Sequence, residues 1–327
     1  MGQITKVVWG FLAMAALLAV ARVGFAQEPA YPARPIKIVV GFPAGGANDI
    51  VARSIGIELA KELHQSVVVE NISGAAGTIG AAAVARAQPD GYTLLMGAGA
   101  HALAPSMRKS IPYDIVKDFA PISLAAIGTY VLVVNPTSKA TTVEELIALA
   151  KSKPGALNMA SAGVGTPLHL AGVMFQKSAG VELTHVAYRG DADANAAIVA
   201  GQVDLLFASL GPTLALIQAG KLRALAVTSL TRSAVAPDLR TIDEAGLKGY
   251  NMGTWWGLMA PAGTPPAVIA KLSAAMAKAT SAPSIKAQFA ASGIEAKGDT
   301  PAEFARLIAS EVSAYASVAK DAGIQPE

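Results

Sequence analysis

Apolar and polar positions along the chain fall into a recurring order. An apolar run over residues 36–42 stops at Pro43, and Ala44, Gly45, Gly46 and Ala47 follow without a bulky side chain. Helical spacing then begins: Val51, Ile55, Leu59 and Leu63 stand four apart, on one face of a helix. "SVVVENI" predicts a second strand and "TIGAAAVARAQ" an Ala-rich helix. The Pro-Asp-Gly turn of "PDGYTLLMGA" leads into a third strand over residues 92–96. Strands and helices alternating through short connections predict a parallel sheet covered by helices.

The same grammar returns later. "TYVLVVNP" predicts a strand. "TTVEELIALAKSK" predicts a helix opened by Thr142, with Glu145 three residues on as a capping box. "GALNMAS", "LTHVAY", "VDLLFAS" and "LRALAVTS" predict strands, and "TPLHLAGVMFQKSAG" and "ADANAAIVAG" predict helices between them. The last third is mostly helical. Two α/β lobes are expected: residues 27–124 with 229–327, and residues 125–228. They join at "FAPISLAAIGTY" and near "LRALAVTSLTRS", which leaves a hinged cleft between strand ends, where ligands of open α/β sheets bind.

The loops at those ends are "FPAGGAND", "NISGAAGT", "MGAGAHA", "ASAGVGTPLH", "YRGDADA" and "FASLG". Several run straight into a helix N-terminus, where free N–H groups and the helix dipole favour an anion. Glycine permits close approach, and Ser or Thr adds a hydroxyl donor. One such turn is as well explained by tight connection alone. Their recurrence at successive strand ends favours a backbone grip on a small carboxylate.

Composition narrows the class. Of 327 residues, 53% are apolar and 15% charged, which describes a folded chain with substantial cores. Residues 1–26 read as a cleaved secretory signal peptide, with Lys6, an apolar stretch over residues 7–21, and Gly24 and Ala26 before the cut. The absence of Cys excludes disulfides, thiolate metal sites and a lipid anchor on cysteine. The net charge is +3, and Lys6 and Arg22 of the leader carry two of these. Nothing in that balance calls for nucleic acid as partner.

Enzymatic signatures are missing. Gly163 and Gly165 lack the third glycine of a dinucleotide fingerprint, since Leu168 stands there. There is no Gly-Lys-Ser/Thr loop and no G-x-S-x-G elbow. His64, His101, His169 and His185 show no paired ligand spacing. Among them His101 is the candidate to touch a ligand, and His64 and His169 are read as solvated and structural. Trp255 and Trp256 are read as packing near the cleft wall. Asp49 is read as a first-turn acid paired with Arg53 rather than a base. Asp191 and Asp193 are either first-turn acids or acceptors for a ligand's ammonium or hydroxyl groups. An exported α/β hydrolase or lyase is the alternative, and it would need a nucleophile, base or metal assembled across the cleft.

Taken in order, "YPARPIKIVVGFPAGGANDIVAR", "PDGYTLLMG", "PYDIVKDFAPIS", "SAGVGTPLHLAG", "GQVDLLFAS", "GKLRALAVTS" and "WWGLMAPAGTP" resemble the tripartite tricarboxylate transporter receptors, the TctC or Bug family of extracytoplasmic solute receptors. The resemblance covers essentially the whole chain after the leader. It implies a two-lobed, type II periplasmic-binding-protein fold, each lobe a sheet flanked by helices, closing on a small carboxylate: a di- or tricarboxylate, an amino acid or an aromatic acid. It implies a grip by Pro43, Ala44, Gly45, Gly46 and Ala47 and by Ser161, Gly163, Gly165 and Thr166. Ala98, His101, Tyr188, Gly190, Asp191, Asp193 and Ser209 would face the ligand's variable end. A monomeric periplasmic receptor is implied, without catalysis, metal or cofactor, that serves the membrane components of a tripartite transporter. The sequence departs from the family pattern twice. Asp193-Ala194 stands where Pro-Ala is usual, and Ala208 and Ser209 stand where an Asp usually follows the strand. The ligand's distal end is therefore where Asp191 or Asp193 is expected to select a donor.

Overall fold

In a computed structural model, which describes residues 31–164 and 166–321, the first apolar run forms β1 (Ile36–Val40). The leader at residues 1–26 and Gly165 lie outside the described residues. The described residues 31–33 belong to a separate unit, with a cis peptide between Tyr31 and Pro32. The second unit begins at Arg34 and carries every strand and helix described.

β1 pairs in parallel with β2 (Val67–Asn71) on one side and β3 (Thr93–Ala98) on the other. α1 (Ala47–Leu63) and α2 (Thr78–Ala85) make the crossovers. The four-apart residues of α1 drive its docking: Val51, Ile55 and Leu59 are fully buried and Leu63 nearly so. Each such side chain contributes about 1.5–3 kcal/mol on burial. α3 (Gly99–Met107) follows β3.

The strands that carry the chain onward run against their neighbours, so the expected parallel sheet is mixed. β4 (Phe119–Val134) pairs antiparallel with β9 (Gly253–Pro261), which itself lies antiparallel beside β3. β10 (Ile294–Ala296) adds to β4 at residues 126–128. The expected join and the strand expected after it are one strand of 16 residues. Its register against β9 shifts between Pro121 and Ser123 and between Leu124 and Ala126, irregularities that bend a strand. Beside them the Leu124 N–H donates to Asp299 Oδ1 at 2.7 Å.

From Tyr130 onward β4 belongs to a second sheet. There it pairs antiparallel with β7 (Leu205–Ser209) and β8 (Arg223–Val227). β5 (Asn158–Ser161) lies parallel between β7 and β6 (Thr184–Ala187). α4 (Val143–Ser152), α5 (Pro167–Ala179), α6 (Asp191–Val199) and α7 (Leu210–Gln218) connect these strands. The Thr142 hydroxyl accepts the Glu145 N–H at 3.2 Å as expected, while the Glu145 carboxylate reaches back to Thr141 rather than Thr142. α8 (Pro266–Ser281), α9 (Pro283–Ala291) and α10 (Pro301–Asp321) close the chain. α10 lies on β9 at Gly257, where a Cβ would stand 2.1 Å from the fully buried Phe304 ring.

The two sheets meet where three chain segments cross. The buried Thr228 sits at that crossing: its hydroxyl accepts the Tyr130 N–H at 3.0 Å and donates to the Met252 carbonyl at 2.6 Å. Its backbone repeats the tie, donating to Tyr130 O at 3.0 Å and accepting from Met252 N at 2.9 Å. Beside it the Thr129 hydroxyl donates to Ser229 Oγ at 3.0 Å. Thr228→Val keeps the shape and leaves one buried N–H and one carbonyl short of a partner. A stability loss of about 2–4 kcal/mol is expected, measured by urea denaturation. A loss below 0.5 kcal/mol would show that the hydroxyl does not hold the crossing.

Candidate functional site

A cavity of about 550 Å³ lies at the crossing. Its floor is Gly128, Thr129 and Tyr130 of β4 with Thr254 and Trp256 of β9. One wall is the start of α1: Gly45, Gly46, Ala47 and Ile50. The opposite wall is Asp191 at the start of α6, with Ser209, Leu210, Gly211 and Pro212 where β7 turns into α7. The turn between α9 and β10, residues 291–294, closes one side.

Three helices therefore begin at this cavity. Their N-cap residues are Gly46, Gly190 and Ser209, and none of these helix starts has a side-chain cap. Elsewhere in the second sheet, α4 and α5 are capped by Thr142 and Thr166. First-turn amides left without a side-chain acceptor, converging from two sheets, form a field suited to an anion. Among the described lining residues there is no Lys or Arg, and Asp191 is the one charged side chain.

The glycine turn is held from behind. Asp49, buried in the first turn of α1, accepts the Gly45 N–H at 3.0 Å, Arg53 Nε at 2.9 Å and Asn71 Nδ2 at 2.9 Å. The Arg53 hydrogen bond, helped by those from Gly45 and Asn71 and opposed by burial, holds the Asp49 carboxyl down to about 2. Gly45 adopts φ +84°, a left-handed conformation that favours glycine. Next to the turn, Trp256 Nε1 donates to Asn48 Oδ1 at 3.0 Å, which fixes that ring at the cavity floor.

The residues expected from the sequence divide into two groups. Gly45, Gly46, Ala47, Asp191 and Ser209 are brought together at the cavity. Pro43 and Ala44 belong to the same turn but are exposed beside it. Ala98 and His101 are not brought there. Ala98 is buried at the start of α3, and the fully buried His101 takes its N–H on Nδ1 at 3.0 Å. The His101 ring packs edge-on to Phe42 at 5.7 Å and against Tyr113 at 6.4 Å, behind the first turn. Burial pushes its pKa down to about 4, so it is a neutral packing group.

Ser161, Gly163 and Thr166 turn their polar groups on one another. Ser161, fully buried, contacts His185 Nε2 at 2.7 Å and accepts the Gly163 N–H at 3.2 Å. The Thr166 hydroxyl donates to Gly163 O at 2.8 Å. A Ser–His pair exists here, but its serine is buried and engaged and presents no nucleophile to the cavity. His185 stacks on His169 with centroids 4.0 Å apart. Tyr188 is half-buried beside Gly163, Gly190 precedes α6, and Asp193 is exposed on α6 away from the cavity lining.

Sequence reasoning missed Gly128–Tyr130, Thr254, the α7 start beyond Ser209, and the turn at residues 291–294. Two glycines were the available signal for the last two. A Cβ on Gly211 would stand 2.1 Å from Ser292 O, and one on Gly293 would stand 2.2 Å from Gly211 Cα, so the two segments touch backbone to backbone. Behind the floor lies a buried polar group. Glu311 of α10 accepts Trp255 Nε1, and Tyr315 bonds the same carboxyl. Burial pushes Glu311 up to about 7, the two hydrogen bonds pulling the other way. Tyr130, in the cavity floor, is raised by its own burial and then by the Glu311 charge.

Two sheets sharing a crossover strand, with helix starts from both facing one cavity, are the form of a two-lobed periplasmic binding protein. The chain belongs to the tripartite tricarboxylate transporter family receptors, TctC, whose family model matches residues 51–324. It is similar to the solved periplasmic binding protein BugD, at 36% identity and TM-score 0.74, over 91% of this chain and 100% of that one. It is also similar to R. palustris Rpa4515 with adipate, at 33% identity and TM-score 0.77 over 91% and 100% of the two chains. MatC (Rpa3494) from Rhodopseudomonas palustris, with bound malate, matches at 33% identity and TM-score 0.72 over 88% and 100%.

Two stability profiles follow. The Asp49 contribution is present above the unfolded carboxyl value of 3.8 and is lost as pH falls toward about 2. Asp49→Asn is expected to cost about 1–2 kcal/mol at pH 7, discounted for the half-exposed Arg53, with the gap closing below pH 3. Glu311 has the opposite sign. Between pH 4.5 and about 7 the folded chain keeps a proton that the unfolded chain has released, so stability falls as pH rises through that window. Relative to wild type, Glu311→Gln is expected to gain about 1–3 kcal/mol between pH 4.5 and 8. Urea curves at several pH values measure both, and a pH-independent difference would contradict either one.

Proposed function

We propose that the protein is a periplasmic solute receptor that captures a small carboxylate by hinge closure and delivers it to a tripartite membrane transporter. It performs no chemistry of its own and works as a monomer after removal of the residue 1–26 leader. The lobes are residues 27–124 with 229–327 and residues 125–228, and the hinge is the Thr129–Thr228 crossing. The observation that carries this reading is the convergence of three helix starts without side-chain caps, from both sheets, on one cavity whose described lining residues include no Lys or Arg. A carboxylate is among the small anions that backbone N–H donors at helix ends hold. Adipate in Rpa4515 and malate in MatC support the ligand class.

Closure follows from the position of the floor. A ligand on the pivot touches both walls only when they are together, so it stabilises the shut form by the contacts it gains there. The touching backbones at Gly211 and Gly293 are read as the shut position of the rim.

Calorimetry of the purified protein against mono-, di- and tricarboxylates tests the receptor reading, with mass spectrometry of material released on denaturation. Stoichiometric binding of a carboxylate recovered unchanged is expected; turnover of the bound compound, or no binding of any carboxylate, would overturn the reading. Gly211→Ala sets a methyl against Ser292 and is expected to weaken that binding by about tenfold, or 1.4 kcal/mol, without loss of fold. Unchanged affinity would remove the rim contact from the closing step.

A further inference from the structure

The two walls of the cavity differ in kind. The α1 wall offers backbone amides to an anion. The facing wall carries Asp191, whose Oδ1 is shielded from solvent and has no hydrogen-bond partner. Burial raises its pKa, and only Ser209, through its hydroxyl and N–H, works against that rise. Ser209 thus supports the carboxyl from one side, and among the described residues that line the cavity there is no cationic side chain to answer it.

A ligand seated by one carboxylate on the α1 wall sends its other end toward Asp191. A second carboxylate there would meet a like charge in a shielded site, where repulsion is strongest. A hydroxyl would give Oδ1 a donor and leave its charge in place. An ammonium would supply both the missing donor and the missing charge.

We propose that Asp191 determines specificity in this cavity and that the solute is a zwitterionic amino-carboxylate, gripped by its carboxylate at the glycine turn and by its ammonium at Asp191. Asp193, exposed and away from the cavity lining, has no part in the choice. The assignment rests on the receptor reading above and names the ligand class for the same site.

Matched probes test it at constant chain length: succinate against 3-aminopropanoate, glutarate against 4-aminobutyrate, adipate against 5-aminopentanoate, together with the standard α-amino acids. Calorimetry at pH 7.5 on wild type is expected to show at least one amino member bound tenfold or more tighter than every dicarboxylate. Asp191→Asn, isosteric and checked for fold by its unliganded melting temperature, is expected to cut that preference at least tenfold while dicarboxylate binding holds or tightens. Dicarboxylates bound as well as or better than the amino members by wild type, or a preference unchanged in the variant, overturns the role of Asp191 and leaves the receptor reading standing. Failure to bind any carboxylate of either kind overturns both.

Discussion

The hydroxyl of Thr228 is a small group in a decisive place. It joins the strand entering the second sheet, the strand leaving it and the segment returning to the first, all within about one residue of one another. β4 is shared by both sheets, so the hinge closure proposed above would be a rotation about residues 128–130. Those same residues floor the cavity, so a ligand there would rest on that axis, and the walls rather than the floor would change their distance from it.

The polar groups around that axis fall into a front and a back. The front presents backbone amides and small hydroxyls. The back holds the groups that make the front rigid: Asp49 with Arg53 and Asn71 behind the glycine turn, and Glu311 with Trp255 and Tyr315 behind the floor. The two supports have opposite electrostatic characters. Asp49 is most comfortable ionised because its partners donate to it. Glu311 resists ionisation because its burial against the floor disfavours the charge. A preformed turn reduces the ordering that binding would otherwise require.

Local elements were readable from the chain because their causes are local. Four-apart apolar residues set α1 on its sheet, Thr142 capped its helix, and Asp49 met Arg53 one turn on. The small-residue turn at Gly45–Ala47 and the acid at Asp191 were likewise visible as loops after strands. What stayed hidden depends on partners distant in sequence. His101 read as a ligand contact from its small neighbours, yet Phe42 and Tyr113 enclose it. Strand β4 read as a join followed by a strand, because the bulges near Pro121 and Leu124 interrupt its pattern while its pairing with β9 continues. Gly211 and Gly293 lie 82 residues apart in number, and neither neighbourhood hints that their backbones touch.

The anchoring turn has one more consequence. In the proposed receptor it would hold the ligand through main-chain atoms, which every amino acid possesses, while the opposite wall would discriminate through one side chain. Capture and choice are thus written in different parts of the molecule. A point change at the wall would then redirect such a receptor toward another nutrient while its hold on the common acid group stays as it was.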